Sequence, residues 1–354
     1  MTYDLSYYLS IYYFCFLFSI VPSLYYAVLA ILYSQKYPST MSYVHEEAIY
    51  RGPHSDILRA RDSNGKAVAL KIVDIDLCFK PHDIEHEIAL VKKLSHPNVL
   101  LYLDSYRSGE DRVLVTPLYQ FDLNQLISHY ARKQTKFDLN TGPSTVHKNE
   151  LPLNLAKSII LGITKALEYV HANKIIHRDV KPANIYFSSP ESEPILGDFG
   201  ISYETGYSDE PEHEKYLDIC SGSYKPPEVC FGVSNYSYEV DMWSLGILFT
   251  ALYSADGSPP IKSGDSDIVL INSMFKALGT PSLDPKHSRY WPVMNNDRYH
   301  FKSFRFESYD SLPIEKLLPR CNDPIIKTAF QSVAVYEPTK RLSAAKLLAW
   351  LNRN

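Results

Sequence analysis

At 354 residues and 45% hydrophobic, the chain holds enough apolar material for one large core or two modest ones, at about 100–200 residues per domain. Its formal net charge of −4 excludes a function built on bulk charge, so neither nucleic acid nor an anionic membrane is expected as main partner. Cys15, Cys78, Cys220, Cys230 and Cys321 form no Cys-x-x-Cys pair, which argues against a zinc site or a disulfide framework and fits a reducing compartment, cytoplasmic or nuclear.

Leu5 to Gln35 contains no Asp, Glu, Lys, Arg or His, a length sufficient for the roughly 20 apolar residues that cross a bilayer. No basic region precedes the run and no small-residue cleavage site follows, so a cleaved secretory signal fits poorly. Two readings of residues 1–40 stay open. One is a membrane anchor followed by the basic Lys36 and Arg51, which leaves the remainder cytosolic. The other is an incorrectly extended start, because Pro22 and the many tyrosines oppose insertion and Met41 begins a stretch like an ordinary soluble amino terminus.

Downstream, Asp56–Arg61 and Lys66–Val73 read as two strands joined by a turn at Asn64-Gly65. Lys71 ends the second apolar run. Pro81 and Asp83 then open an amphipathic helix over 84–94, which carries Glu87 sixteen residues beyond Lys71. A lysine that must hold phosphate oxygens needs a carboxylate to keep it extended, and this pair meets that need. Taken alone, the two would be a solvated salt bridge worth less than about 1 kcal/mol.

The decisive stretch is Ile175-Ile-His177-Arg178-Asp179-Val-Lys181-Pro-Ala-Asn184-Ile, followed by Gly197-Asp198-Phe199-Gly200. Together these resemble the catalytic loop and metal-binding loop of protein kinases. Pro226-Pro227-Glu228, Asp241-Met-Trp243-Ser-Leu-Gly246 and Arg341 continue the resemblance, which covers about residue 45 to the end.

The resemblance implies an α+β, bilobal kinase fold. A small β-rich lobe would cover 41–118 and a larger, mainly helical lobe 119–354, with ATP and magnesium bound between. It implies that Asp179 orients the acceptor hydroxyl and that Lys181 neutralises the moving phosphoryl group, the latter pointing to serine or threonine as acceptor. Asn184 and Asp198 would be magnesium ligands. Nucleotide contacts are implied at Gly52, Ile57, Ala69, Lys71 and Glu87, and at the linker residues Thr116, Pro117 and Tyr119, with Thr116 at the back of the adenine pocket. Pro117 lacks an N–H but keeps the carbonyl that its position contributes. Glu228 should form a buried ion pair with Arg341, and Asp241 should cap the catalytic-loop backbone.

Two departures stand out. Kinases cover the phosphates with Gly-x-Gly-x-x-Gly, whereas Tyr50-Arg-Gly52-Pro-His-Ser55 keeps one glycine followed by a proline, so a looser lid is expected. In the activation segment Tyr216 takes the position where many kinases carry a phosphorylated threonine. Asp209, Glu210, Glu212, Glu214 and Asp218 supply fixed negative charge that can stand in for phosphate before Arg178, or simply solvate the loop. Ser221 keeps the hydroxyl expected beside Asp179.

Met274 to Ser282 and the aromatic stretch to about Pro319 resemble the insert of the CMGC kinases. With the degenerate phosphate loop and Ser223-Tyr-Lys-Pro-Pro-Glu-Val-Cys-Phe-Gly-Val233, the chain most resembles the monomeric fungal CDK-activating kinases. This implies a cyclin-independent monomer whose protein substrate is the activation-loop threonine of a cyclin-dependent kinase. Another CMGC kinase acting on proline-directed sites and a pseudokinase scaffold are the alternatives. Ala131 to Pro152 reads as a flexible surface loop between two helices.

Overall fold

The computed structural model describes residues 43–138, 142–207, 210–296, 298–301 and 304–353. The apolar stretch over 1–40 and Asp209 of the acidic run lie outside the described residues. Among the described residues, no helix is long and apolar enough to cross a membrane. Two compact units emerge, one of the described residues up to Cys78 with Tyr102–Leu118, the other of Phe79–Leu101 with residues from Tyr119 onward.

The first unit is a five-stranded antiparallel sheet in the order β1-β2-β3-β5-β4, with β1 Val44–Arg51, β2 Asp56–Arg61, β3 Ala67–Asp74, β4 Asp104–Ser108 and β5 Asp111–Pro117. The β2–β3 turn closes because the Asp62 carboxylate accepts from the N–H groups of Asn64 and Lys66, both at 2.9 Å, while Gly65 takes the left-handed φ of 77°. Alternation along the strands sends Leu58, Ala60, Val68, Leu70, Ile72, Val113 and Val115 into one core. Each of the larger aliphatics contributes about 1.5–3 kcal/mol on burial. The ladder pairs Ile57 with Lys71 and Ala69 with Thr116, so these four residues share the sheet's opposite face.

In the second unit, α1 Ile84–Lys93 begins at Asp83, whose side chain accepts from the His86 N–H. A short strand β6 Phe121–Asp122 leads into α2 Leu123–His129, which starts with a reciprocal capping box between Asp122 and Gln125. Helix α3 Leu153–Ala172 packs on α5 Glu239–Tyr253 and on α9 Ala344–Arg353, and α8 Pro324–Val333 also packs on α5. Every residue of α5 from Val240 to Tyr253 is buried, which marks it as the axis of this unit. Short strands β9 Ile175–Ile176, β10 Ile185–Phe187, β11 Ile195–Leu196 and β12 Tyr203–Glu204 bracket the catalytic segments. Strands dominate the first unit and helices the second, an α+β architecture.

Ala131 to Pro152 is not an unstructured loop. It contains an antiparallel hairpin, β7 Arg132–Asp138 and β8 Gly142–Lys148, with Thr135 opposite Thr145 and Gln134 opposite Val146. Cross-strand Thr–Thr pairing and β-branched residues favour extended backbone without an apolar alternation that would announce it. Pro143 is tolerated because both strands of a two-stranded sheet are edges.

Candidate active site

The catalytic loop runs from β9 to β10 and is pinned from below by Asp241, in the first turn of α5. Its wholly buried carboxylate accepts from the backbone N–H groups of His177 and Arg178, each at 2.8 Å, and bonds His171 Nε2 at 2.8 Å. Burial pushes this carboxyl up, but the bond and charge of His171 and the contacts with His177 outweigh it and hold the group below the usual carboxylate range. His171, in the last turn of α3, has no sequence signal of its own, since only the packing of α3 on α5 brings it to Asp241. Arg178 and Asp198 hold left-handed φ values of 69° and 60°, a conformation worth about 1–3 kcal/mol of strain each outside glycine.

Asp179 sits at the centre of a small polar cluster. One carboxylate oxygen accepts from Ser221 Oγ at 3.0 Å, while the other accepts from Asn184 Nδ2 at 2.9 Å and meets Lys181 Nζ at 2.7 Å. Lys181 Nζ also donates to Ser221 Oγ at 2.8 Å. A carboxylate, an ammonium and a hydroxyl thus converge, with Asp179 only 7% exposed. This arrangement suits a base that orients an incoming hydroxyl beside a fixed positive charge.

Asn184 and Asp198 are brought together by the β10–β11 pairing. Ile185 faces Leu196, and the Gly197 N–H donates to the Asn184 carbonyl at 2.9 Å, so Asp198 follows one residue beyond. The Asn184 amide nitrogen is committed to the Asp179 carbonyl and carboxylate, which leaves its amide oxygen as acceptor. Two hard oxygen donors fit magnesium, which keeps several waters and substrate phosphates in its shell. Phe199 is buried edge-on against His177, at 4.8 Å between centroids, and His177 Nε2 bonds the Gly197 carbonyl at 2.9 Å.

Among the described acidic residues of the activation segment, Glu210 is the one that meets Arg178. The two form a bidentate pair at 3.0 and 2.5 Å, and the same carboxylate accepts from the Tyr216 N–H at 2.9 Å. The Arg178 guanidinium lies over the rings of Tyr203 and Tyr236, at 4.9 and 5.4 Å, and the Lys215 ammonium over the same two rings. Burial, then Arg178, lowers the Lys215 pKa against the opposing pull of Glu212 and Glu210. Glu212, Glu214 and Asp218 are exposed. Glu228 and Arg341 make the expected buried pair, bidentate at 2.5 and 2.7 Å. Burial, then the Asp179 charge, pushes the Cys220 thiol well up, so it stays protonated.

In the first unit, Ile57, Ala69, Lys71 and Thr116 line one sheet face and Pro117 ends β5. Gly52 heads a tight turn between β1 and β2, where its N–H donates to the Ser55 carbonyl at 3.0 Å and is thereby engaged within the chain. In the second unit, Glu87 is buried on α1. Tyr119 stacks on Tyr186 at 5.7 Å, and burial raises its hydroxyl to about 12.

The protein kinase domain matches residues 43–350 of the chain. The chain belongs to the protein kinase family. Serine/threonine-protein kinase CAK1 of Saccharomyces cerevisiae is 32% identical to it over 262 residues, 63% of this chain and 71% of the yeast protein. Cyclin-dependent kinase D-1 of Arabidopsis thaliana is 27% identical over 309 residues, 86% of this chain and 69% of the plant protein. The chain is a CMGC-like protein serine/threonine kinase that resembles the fungal CDK-activating kinases. As a protein kinase it catalyses ATP-dependent phosphoryl transfer to protein.

Proposed function

We propose that this kinase phosphorylates the activation-loop threonine of a cyclin-dependent kinase, acting as a single chain without a cyclin and without phosphorylation of its own activation segment. The observation that carries the reading is the bidentate Glu210–Arg178 pair, a fixed carboxylate where a phosphate would otherwise sit, bonded also to the N–H of Tyr216. Similarity to the yeast serine/threonine kinase supports it.

Asp179 receives the acceptor hydroxyl beside the Ser221 Oγ that its carboxylate already bonds, and takes its proton as the acceptor oxygen bonds phosphorus and ADP departs. Lys181 neutralises charge on the transferring group. Lys71 and Glu87 orient the phosphates of ATP, and Ile57, Ala69, Thr116, Pro117 and Tyr119 contact the adenosine. Asn184 and Asp198 would hold magnesium, which when bound neutralises charge on the phosphate oxygens. With the Gly52 N–H engaged by Ser55, this turn gives the phosphates less backbone support than a glycine-rich loop provides.

The test is radiolabelled transfer from ATP and magnesium to an unphosphorylated cyclin-dependent kinase, beside an Asp179→Asn control. Label on the activation-loop threonine, lost in the control, is the expected result. Labelling of Ser-Pro peptides but not of the intact kinase would instead indicate a proline-directed enzyme, and no nucleotide binding a scaffold.

A further inference from the structure

Helix α1 carries Glu87, and the catalytic geometry of a kinase requires that glutamate and Lys71 to be in place together. Three separate contacts join α1 to the segment just beyond Asp198. Before its first turn, the Asp83 N–H donates to the Gly200 carbonyl at 2.9 Å. Within the first turn, the His86 ring lies flat on Tyr207, with centroids 4.3 Å apart and planes 16° from parallel. In the last turn, the Lys93 ammonium pairs with the Glu204 carboxylate, whose second oxygen lies 3.8 Å from His86 Nε2. The contacts reach from one end of the helix to the other, about 15 Å at 1.5 Å per residue.

The far side of this attachment is itself anchored. Glu204 belongs to β12 and pairs with Ile175 of β9, two residues before His177. Tyr207 turns back on it, its N–H donating to the Glu204 carbonyl at 3.1 Å. His86 is 6% exposed and burial lowers its pKa, against Asp83 and Glu204, so at neutral pH an uncharged imidazole stacks on the tyrosine. The helix is therefore tied through β12 to the strand that enters the catalytic loop.

We propose that Glu204 and Tyr207 are positioning residues: through Lys93 and His86 the kinase's own activation segment holds α1, and hence Glu87, in its working place, a task that then needs no partner subunit. The inference rests on the kinase reading above, and its test separates the two. In the full chain, Glu204→Lys and Lys93→Glu should each lower kcat about tenfold and raise KM for ATP, and the double charge swap should restore both. Tyr207→Phe should behave as wild type, and Tyr207→Ala as the single charge variants.

Hydrogen exchange over residues 84–93 is measured on the same proteins and does not depend on turnover. Glu204→Lys should speed exchange there about tenfold while exchange in α5 stays unchanged, and the swap should restore protection. Single variants with wild-type exchange in α1, or a swap that fails to restore it, overturn the proposal. Wild-type protein that shows the exchange pattern but transfers no phosphate would count against the kinase reading alone.

Discussion

Arg178 and Arg132 both belong to the second unit. The first is 1% exposed and bidentate to Glu210, while the second sits on an exposed strand with Lys148 directly across the ladder. Around the catalytic loop every such charge has a partner in fixed geometry, as Arg178 has Glu210, Glu228 has Arg341, and Asp241 has His171 and two backbone N–H groups. On the β7–β8 hairpin like charges face one another, with Arg132 opposite Lys148. A buried charge without a partner is too unfavourable to persist, so its pairing reports a geometry that the fold must maintain. An exposed charge set against a like charge is screened by water and imposes almost nothing.

The largest effect should come from breaking a buried pair. Glu228→Ala leaves the buried Arg341 guanidinium with no carboxylate and only the Tyr336, Val335 and Glu239 carbonyls, and should lower unfolding free energy by about 3–5 kcal/mol in urea denaturation. A loss below about 1 kcal/mol would place this pair with the exposed charges and undo the contrast.

Next in size is the activation segment. Glu210→Ala should reduce kcat about 10²-fold by releasing Arg178 and the backbone at Tyr216, whereas Glu212→Ala, an exposed neighbour, should leave kcat unchanged. Equal losses in steady-state assays would mean that bulk acidity, and not one placed carboxylate, sets the loop.

The smallest effect is expected at the hairpin. Arg132 and Lys148 are paired, so a two- or three-residue Gly-Ser linker can join Ala131 to Asn149. Asn149 must stay, because its amide donates to the Leu252 and Ser254 carbonyls at 3.1 Å. Replacement of 132–148 should shift unfolding free energy by no more than about 0.5 kcal/mol, with kcat unchanged, and a larger shift would give those charges a structural task.

These differences also explain what could be read without coordinates. Asp179, Lys181, Asn184 and Asp198 lie at short fixed spacings, and the Glu228–Arg341 pair and the Asp241 cap followed from the family pattern. Selection of Glu210 over Glu212, Glu214 and Asp218 depends on the path of a loop, to which composition is blind. Glu204 with Lys93 joins residues 111 apart, and no local period links them. The hairpin has no such signal, because Arg-Lys-Gln-Thr-Lys lacks the apolar alternation by which half-buried strands are recognised.

The Glu228–Arg341 pair bears also on the order of synthesis. Glu228 leaves the ribosome 113 residues ahead of its partner. At about 5–20 residues per second that interval is on the order of ten seconds, during which the carboxylate must stay in water and the segment around it cannot pack. A nascent kinase therefore already holds Asp179 and Asp198 while the support beneath its activation segment is incomplete. Catalytic competence should arise only once Arg341 has emerged, and a transcript that ends before Arg341 should yield a chain with every catalytic residue and no settled active site.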